Sequence, residues 1–139
     1  MSLYLFDTDT LTLFERMHPV VIRNVFHHLA DDIRVTSVTV EEQLGGWFAM
    51  LRSARTPQQI ETAHIRLSET VRWLSTWDIV PFNAAAVARF QDLLRQRLNV
   101  GGNDLRIASI ALEVGAIVVT RNLRDFRRVP GLQCEDWSL

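Results

Sequence analysis

Residues Gly101 to Thr120, GGNDLRIASIALEVGAIVVT, hold one helix and one strand back to back. The Gly101-Gly102 pair breaks whatever precedes it, and Asn103-Asp104 carries the short polar side chains that favour a helix start. Ile107, Ala108, Ala111 and Leu112 then recur at helical spacing and predict a buried face. Gly115 ends the periodicity, and Ala116-Ile117-Val118-Val119 is a short, uninterrupted β-branched run of the kind buried on both faces of a parallel sheet. A helix feeding directly into such a strand is half of a βαβ unit, so the rest of the chain is expected to repeat that alternation.

It does. Leu3-Tyr4-Leu5-Phe6 predicts a first buried strand, followed by a helix from Thr8 to about Met17 that Pro19 stops. A second helix follows over Val20 to Leu29, and Ile33 to Val38 predicts the second strand. Thr39 with Glu42 three residues on has the pattern of a capping box opening a helix to about Ser53. Thr56-Pro57-Gln58-Gln59 is another, opening a helix to about Trp73. Asp78-Ile79-Val80 predicts a short strand, and Asn83 caps a helix running to about Leu98. Arg121 to Arg128 reads as a turn or one-turn helix, and Leu132 to Glu135 as a last strand. The expectation is a single α/β domain over residues 1–139, three layers deep, with a central parallel sheet flanked by helices.

Composition narrows the function. The 139 residues carry a formal charge of −1, and all 15 basic residues are arginine, with no lysine. The lone Cys134 excludes an internal disulfide. No apolar run approaches the roughly 18–20 residues of a membrane span. The N-terminus lacks the basic flank of a secretory signal, so the expected setting is the cytoplasm.

Four acids share a topological position. Asp7 ends the first strand, Glu42 lies in the turn of helix after the second, and Asp125 follows the Ile117–Val119 strand. In an open parallel sheet ligands bind beyond the carboxyl ends of the strands. Asp104 joins that edge if its helix points the same way. Singly, each acid can be a helix cap or a dipole partner. Together they repel unless cations neutralise them, and clustered carboxylate oxygens suit Mg²⁺ or Mn²⁺.

The same residues carry a resemblance. Leu5-Phe6-Asp7-Thr8-Asp9, Thr39-Val40-Glu41-Glu42, Asp104-Leu105-Arg106-Ile107-Ala108 and Thr120-Arg121-Asn122-Leu123-Arg124-Asp125-Phe126 resemble, in order, the four motifs of a PIN domain, and Arg127-Arg128-Val129-Pro130-Gly131-Leu132 resembles its VapC-type toxins. Two features depart from the pattern: Gln43 stands at a position the family usually makes apolar, and Glu41 is a second candidate acid. The resemblance implies a metal-dependent endoribonuclease, the toxin of a type II toxin–antitoxin pair. It implies Asp7 and Asp104 as the most direct Mg²⁺ ligands, with Glu42 and Asp125 acting through waters or a second ion. It also implies a homodimer and a VapB-like antitoxin that blocks the pocket. Thr120 and Asn122 are candidates to orient a ligand or the scissile phosphate. Setting aside the four acids turns the net −1 into +3, and Arg121, Arg124, Arg127 and Arg128 are candidate RNA phosphate contacts. The alternatives are a catalytically silent PIN fold that binds RNA or protein, and a haloacid-dehalogenase-like phosphatase suggested by Asp7-Thr8-Asp9-Thr10. The phosphatase chemistry generally needs a lysine, which this chain does not have.

Overall fold

The computed structural model describes all residues, Met1 to Leu139. Five strands, β1 (Leu3–Phe6), β2 (Asp32–Thr36), β3 (Ile79–Val80), β4 (Ile117–Val119) and β5 (Cys134–Glu135), form one sheet in the order β3-β2-β1-β4-β5. Every pairing is parallel. The first strand made is therefore the central one, and strand order reverses beside it, where β4 is added on the other flank.

Seven helices cover the two faces: α1 (Thr8–Glu15), α2 (Pro19–His27), α3 (Ser37–Ser53), α4 (Pro57–Leu74), α5 (Ala84–Arg95), α6 (Gly102–Val114) and α7 (Leu123–Phe126). Side-chain alternation along the strands gives each face its own core. Leu5 and Val118 pack with Leu93, Leu105, Ile107 and Ala108 of α5 and α6. Tyr4, Phe6, Val35 and Val119 point the other way, onto Leu11, Leu74 and Trp137. Trp137 stacks on His28 at 4.3 Å and meets Phe6 edge-on at 5.5 Å, pinning the C-terminal segment to this second core.

Two sequence expectations are corrected at the start of α3. The second strand ends at Thr36, two residues earlier than its β-branched run suggests. The helix is capped by Thr36, whose hydroxyl accepts from the Thr39 N–H at 3.3 Å, and not by Thr39. Glu42 is therefore in the second turn and completes no capping box. The Thr56–Gln59 box forms with both of its reciprocal bonds, and Asn83 caps α5 through the Ala86 N–H at 3.0 Å. The final strand is only Cys134–Glu135. No helix is long and apolar enough to cross a membrane.

Candidate active site

The carboxyl ends of β1 and β4 lie side by side, with Phe6 opposite Val119 and the Asp7 N–H donating to the Val119 carbonyl at 3.1 Å. Asp7 and Thr120 are the next residues on each strand, so the sheet itself sets them together at the point where strand order reverses. Asp7 is only 6% exposed. Its Oδ1 caps α1 by accepting from the Thr10 N–H at 2.8 Å. Burial pushes its carboxyl above the ordinary range, outweighing the Thr120 and Thr10 groups that steady the anion.

α6 runs antiparallel to the strand it precedes, which brings its N-terminal turn to the same edge. Asp104 is thereby delivered to the site. The Asn122 amide spans it and Asp125, donating to Asp104 Oδ2 at 3.1 Å and Asp125 Oδ2 at 3.0 Å. Asn122 is held in turn by its own N–H, which donates to the Thr120 hydroxyl at 2.9 Å. Asp104 also lies above the ordinary carboxyl range, mainly through burial and then through the neighbouring charges of Glu42 and Asp125.

Glu42 arrives from α3 on a relay of hydroxyls. Thr8 donates to Glu42 Oε1 at 2.7 Å, so its 3.1 Å contact with Thr39 leaves Thr39 as the donor in that pair. Glu42 rather than Glu41 lines the cleft.

Asp7, Thr8, Asp9, Glu42, Asp104, Arg121 and Asn122 enclose an open cleft of about 500 Å³ with no hydrophobic residue in its wall. Asp125 does not line it; it stands behind Asn122, where Arg128 reaches it at 3.2 Å. Three of the expected acids thus face the cleft and the fourth is coupled to it through an amide. No three of them converge closely enough to grip an ion unaided. Carboxylate oxygens are the donors Mg²⁺ prefers, and it is usually bound through one or two of them with waters filling the rest of its shell.

The four arginines separate. Arg121 is on the cleft wall, but Asp9 holds it through a two-pronged pair at 2.6 and 3.0 Å. Arg128 is engaged with Asp125 and the Asn99 carbonyl, Arg127 sits against Cys134 on β5, and Arg124 is exposed on α7. The sequence reading did not assign Thr8 or Asp9 to the site. The adjacency of both to Asp7 was the available signal. The histidines stay out of it: His18 caps α2 and His28 stacks on Trp137.

Comparison with known proteins agrees with this geometry. The family model described as PIN domain matches residues 4–132. The chain is 30% identical to a tRNA(fMet)-specific endonuclease VapC of Shigella flexneri, over 99% of this chain and 100% of that protein. It is 30% identical to a ribonuclease VapC2 of Haemophilus influenzae, over 99% of each. Among solved structures it resembles VapBC2 from Rickettsia felis, crystallised with a DNA fragment from its promoter. That match has a TM-score of 0.73 and 26% identity, and covers 97% of this chain and 98% of that one.

Proposed function

The chain belongs to the PIN-domain family, within its VapC-type branch, and we propose that it is the ribonuclease toxin of a type II toxin–antitoxin pair, acting on RNA in the cytoplasm. The observation that carries this is the convergence of Asp7, Glu42 and Asp104 on one polar cleft, with Asn122 tying Asp125 to Asp104. A fold used only for binding has no reason to gather repelling acids at the switch point of its sheet.

In this reading Asp7 and Asp104 hold Mg²⁺ or Mn²⁺, with Glu42 and Asp125 contributing through waters or a second ion. When bound there, the ion supplies polarisation of a phosphoryl oxygen and an activated water for in-line displacement of the 3′ oxygen. The chain's own groups do the positioning. Asn122 fixes the separation of Asp104 and Asp125, and Thr120 fixes Asn122. Arg121, whose Nε and Nη2 are held by Asp9, keeps its Nη1 N–H groups for phosphate oxygens on the cleft wall. Arg124 is free to meet the backbone farther out, whereas Arg127 and Arg128 have partners within the fold.

A VapB-like antitoxin is the expected protein partner, because structures similar to this chain include VapBC2 of Rickettsia felis and VapBC-1 of Haemophilus influenzae. The largely exposed side chains of Phe26 and Leu29 at the end of α2 suit burial against a second copy.

The test is cleavage of RNA by the purified protein with Mg²⁺ or Mn²⁺, abolished by chelator, together with growth arrest on expression that co-expressed antitoxin relieves. Folded, metal-loaded protein that cleaves no RNA would overturn the assignment.

A further inference from the structure

A second groove, of about 410 Å³, adjoins the carboxylate cleft and shares Thr8 and Glu42 with it. Its floor is the stripe of α3 that continues from Glu42 through Gln43 and Gly46 to Trp47, and its far wall includes Glu15 and Arg16 at the end of α1. Three features set it apart from a surface furrow. Gln43 lines the groove, and its amide oxygen, shielded from solvent, has no hydrogen-bond partner in the fold, so a turn of its last torsions brings an uncommitted amide to the groove. The Trp47 N–H is committed to the Thr70 hydroxyl at 2.8 Å, so what the indole offers the groove is apolar ring surface. At Gly46 an added Cβ would meet nothing within 4 Å, which leaves the floor open beside that ring.

The charges decide what kind of ligand fits. Glu15 and Glu42 outnumber Arg16, so the groove does not suit a run of phosphates. It suits a neutral ring with N–H donors on its edge. Bases unstacked from single-stranded RNA are recognised in this way, by an aromatic face and polar groups along the edge.

We infer that the groove is a nucleobase subsite: RNA whose scissile phosphate lies in the carboxylate cleft places the adjacent base against Trp47, with its edge hydrogen-bonded to Gln43. The last torsion of glutamine is broad, so the amide presents either its oxygen or its nitrogen to the base. Gln43 is then a specificity-determining residue and Gly46 the space the base enters. The inference rests on the ribonuclease assignment above and deepens it.

The test uses oligoribonucleotides that differ only in the bases flanking the mapped cleavage site, cut under single-turnover conditions by the wild type, Gln43→Leu and Gly46→Ala. The wild type is expected to prefer one flanking base by about tenfold, the factor that goes with one well-placed hydrogen bond. Gln43→Leu flattens that preference while its melting temperature holds or rises, since an unpartnered buried acceptor has been removed. Gly46→Ala raises the half-saturating enzyme concentration more than it lowers the maximal cleavage rate, also without a fall in melting temperature, because alanine favours the helix. Unchanged preference in folded Gln43→Leu, or a wild type indifferent to both flanking bases, overturns the subsite and leaves the ribonuclease assignment standing. A wild type that cuts no RNA overturns both. Variants that keep their base preference but escape inhibition by the antitoxin assign the groove to a protein partner, which also overturns the inference.

Discussion

Asp7 holds two positions at once, as the cap of α1 and as the most buried acid of the cleft, and a pair of substitutions separates them. Asparagine is as good an N-cap as aspartate and keeps the shape, whereas alanine removes the acceptor. The Asp7 carboxyl is displaced upward in spite of the helix N-terminus that favours its charge. Desolvation therefore exceeds the roughly 0.3–1 kcal/mol that a terminal dipole supplies. Without metal, Asp7→Asn should consequently melt at or above the wild-type temperature. Asp7→Ala also removes the buried charge but loses the cap, leaving the Thr10 N–H without its acceptor, which costs about 1 kcal/mol relative to Asp7→Asn. At roughly 3–4 °C per kcal/mol for a chain of this length, it should melt about 3–4 °C below Asp7→Asn. Both variants should lose about a hundredfold or more in cleavage, the scale for removing one preorganised group from developing charge. Melting curves in chelator beside single-turnover RNA cleavage read out the two roles. Wild-type cleavage by folded Asp7→Asn would remove Asp7 from the site. An Asp7→Asn protein melting as low as Asp7→Ala would refute the division between cap and buried charge.

Glu42→Gln keeps an acceptor for the Thr8 hydroxyl and touches no cap, so its metal-free stability should stay within about 0.5 kcal/mol of wild type. Its Mg²⁺-dependent rise in melting temperature should shrink and its cleavage should fall steeply; a full Mg²⁺ shift with normal cleavage would leave Glu42 without a role. Asp104→Asn should abolish cleavage and toxicity while remaining folded, and wild-type cleavage by the folded variant excludes Asp104. Asn122→Ala removes the amide that steadies the Asp104 anion, so cleavage should fall by about 10–100-fold and the acid limb of its pH profile should move upward; an unmoved limb counts against a positioning role. Asp7 and Asp104 are both raised in the folded state, so their contribution to metal-free stability is present at low pH and lost as pH rises through their folded values. Acidification should therefore shrink the stability difference between wild type and Asp7→Asn in chelator, while cleavage, which needs the anions, declines.

What the sequence made legible was local and periodic. The strand at Ile117–Val119, the Thr56 box and the helix opened by Asn83 depend on neighbours a few residues away, and they stand where periodicity and cap chemistry put them. Asp104 was legible only conditionally, because a helix start says nothing of direction; the parallel order of the strands settles it. The miss at Thr36 has a physical cause. Val35-Thr36-Ser37-Val38 favours extended backbone throughout, but β2 needs to reach only as far as Thr36, the partner of Val80. The Thr36 hydroxyl then turns the chain into helix by capturing the Thr39 N–H. Asp9 and Arg121 are 112 residues apart, and Thr8 reaches Glu42 across 34. No local pattern encodes such pairs, so the acids were apparent before the groups that hold them in place.

Because β1 occupies the middle of the sheet, the order of synthesis bears on when a harmful enzyme can first act. Asp7 leaves the ribosome well before its neighbours across the cleft, which come from α6 and from the turn after β4. Until that portion has emerged, β1 has a partner on only one side and the carboxylates have no common edge on which to meet. A truncated or stalled nascent chain that stops before β4 carries Asp7, Glu42 and even Asp104, but neither Thr120 nor Asn122 to fix them. Order of synthesis thus separates the presence of the acids from their assembly, which waits until β4 and the turn after it join the sheet.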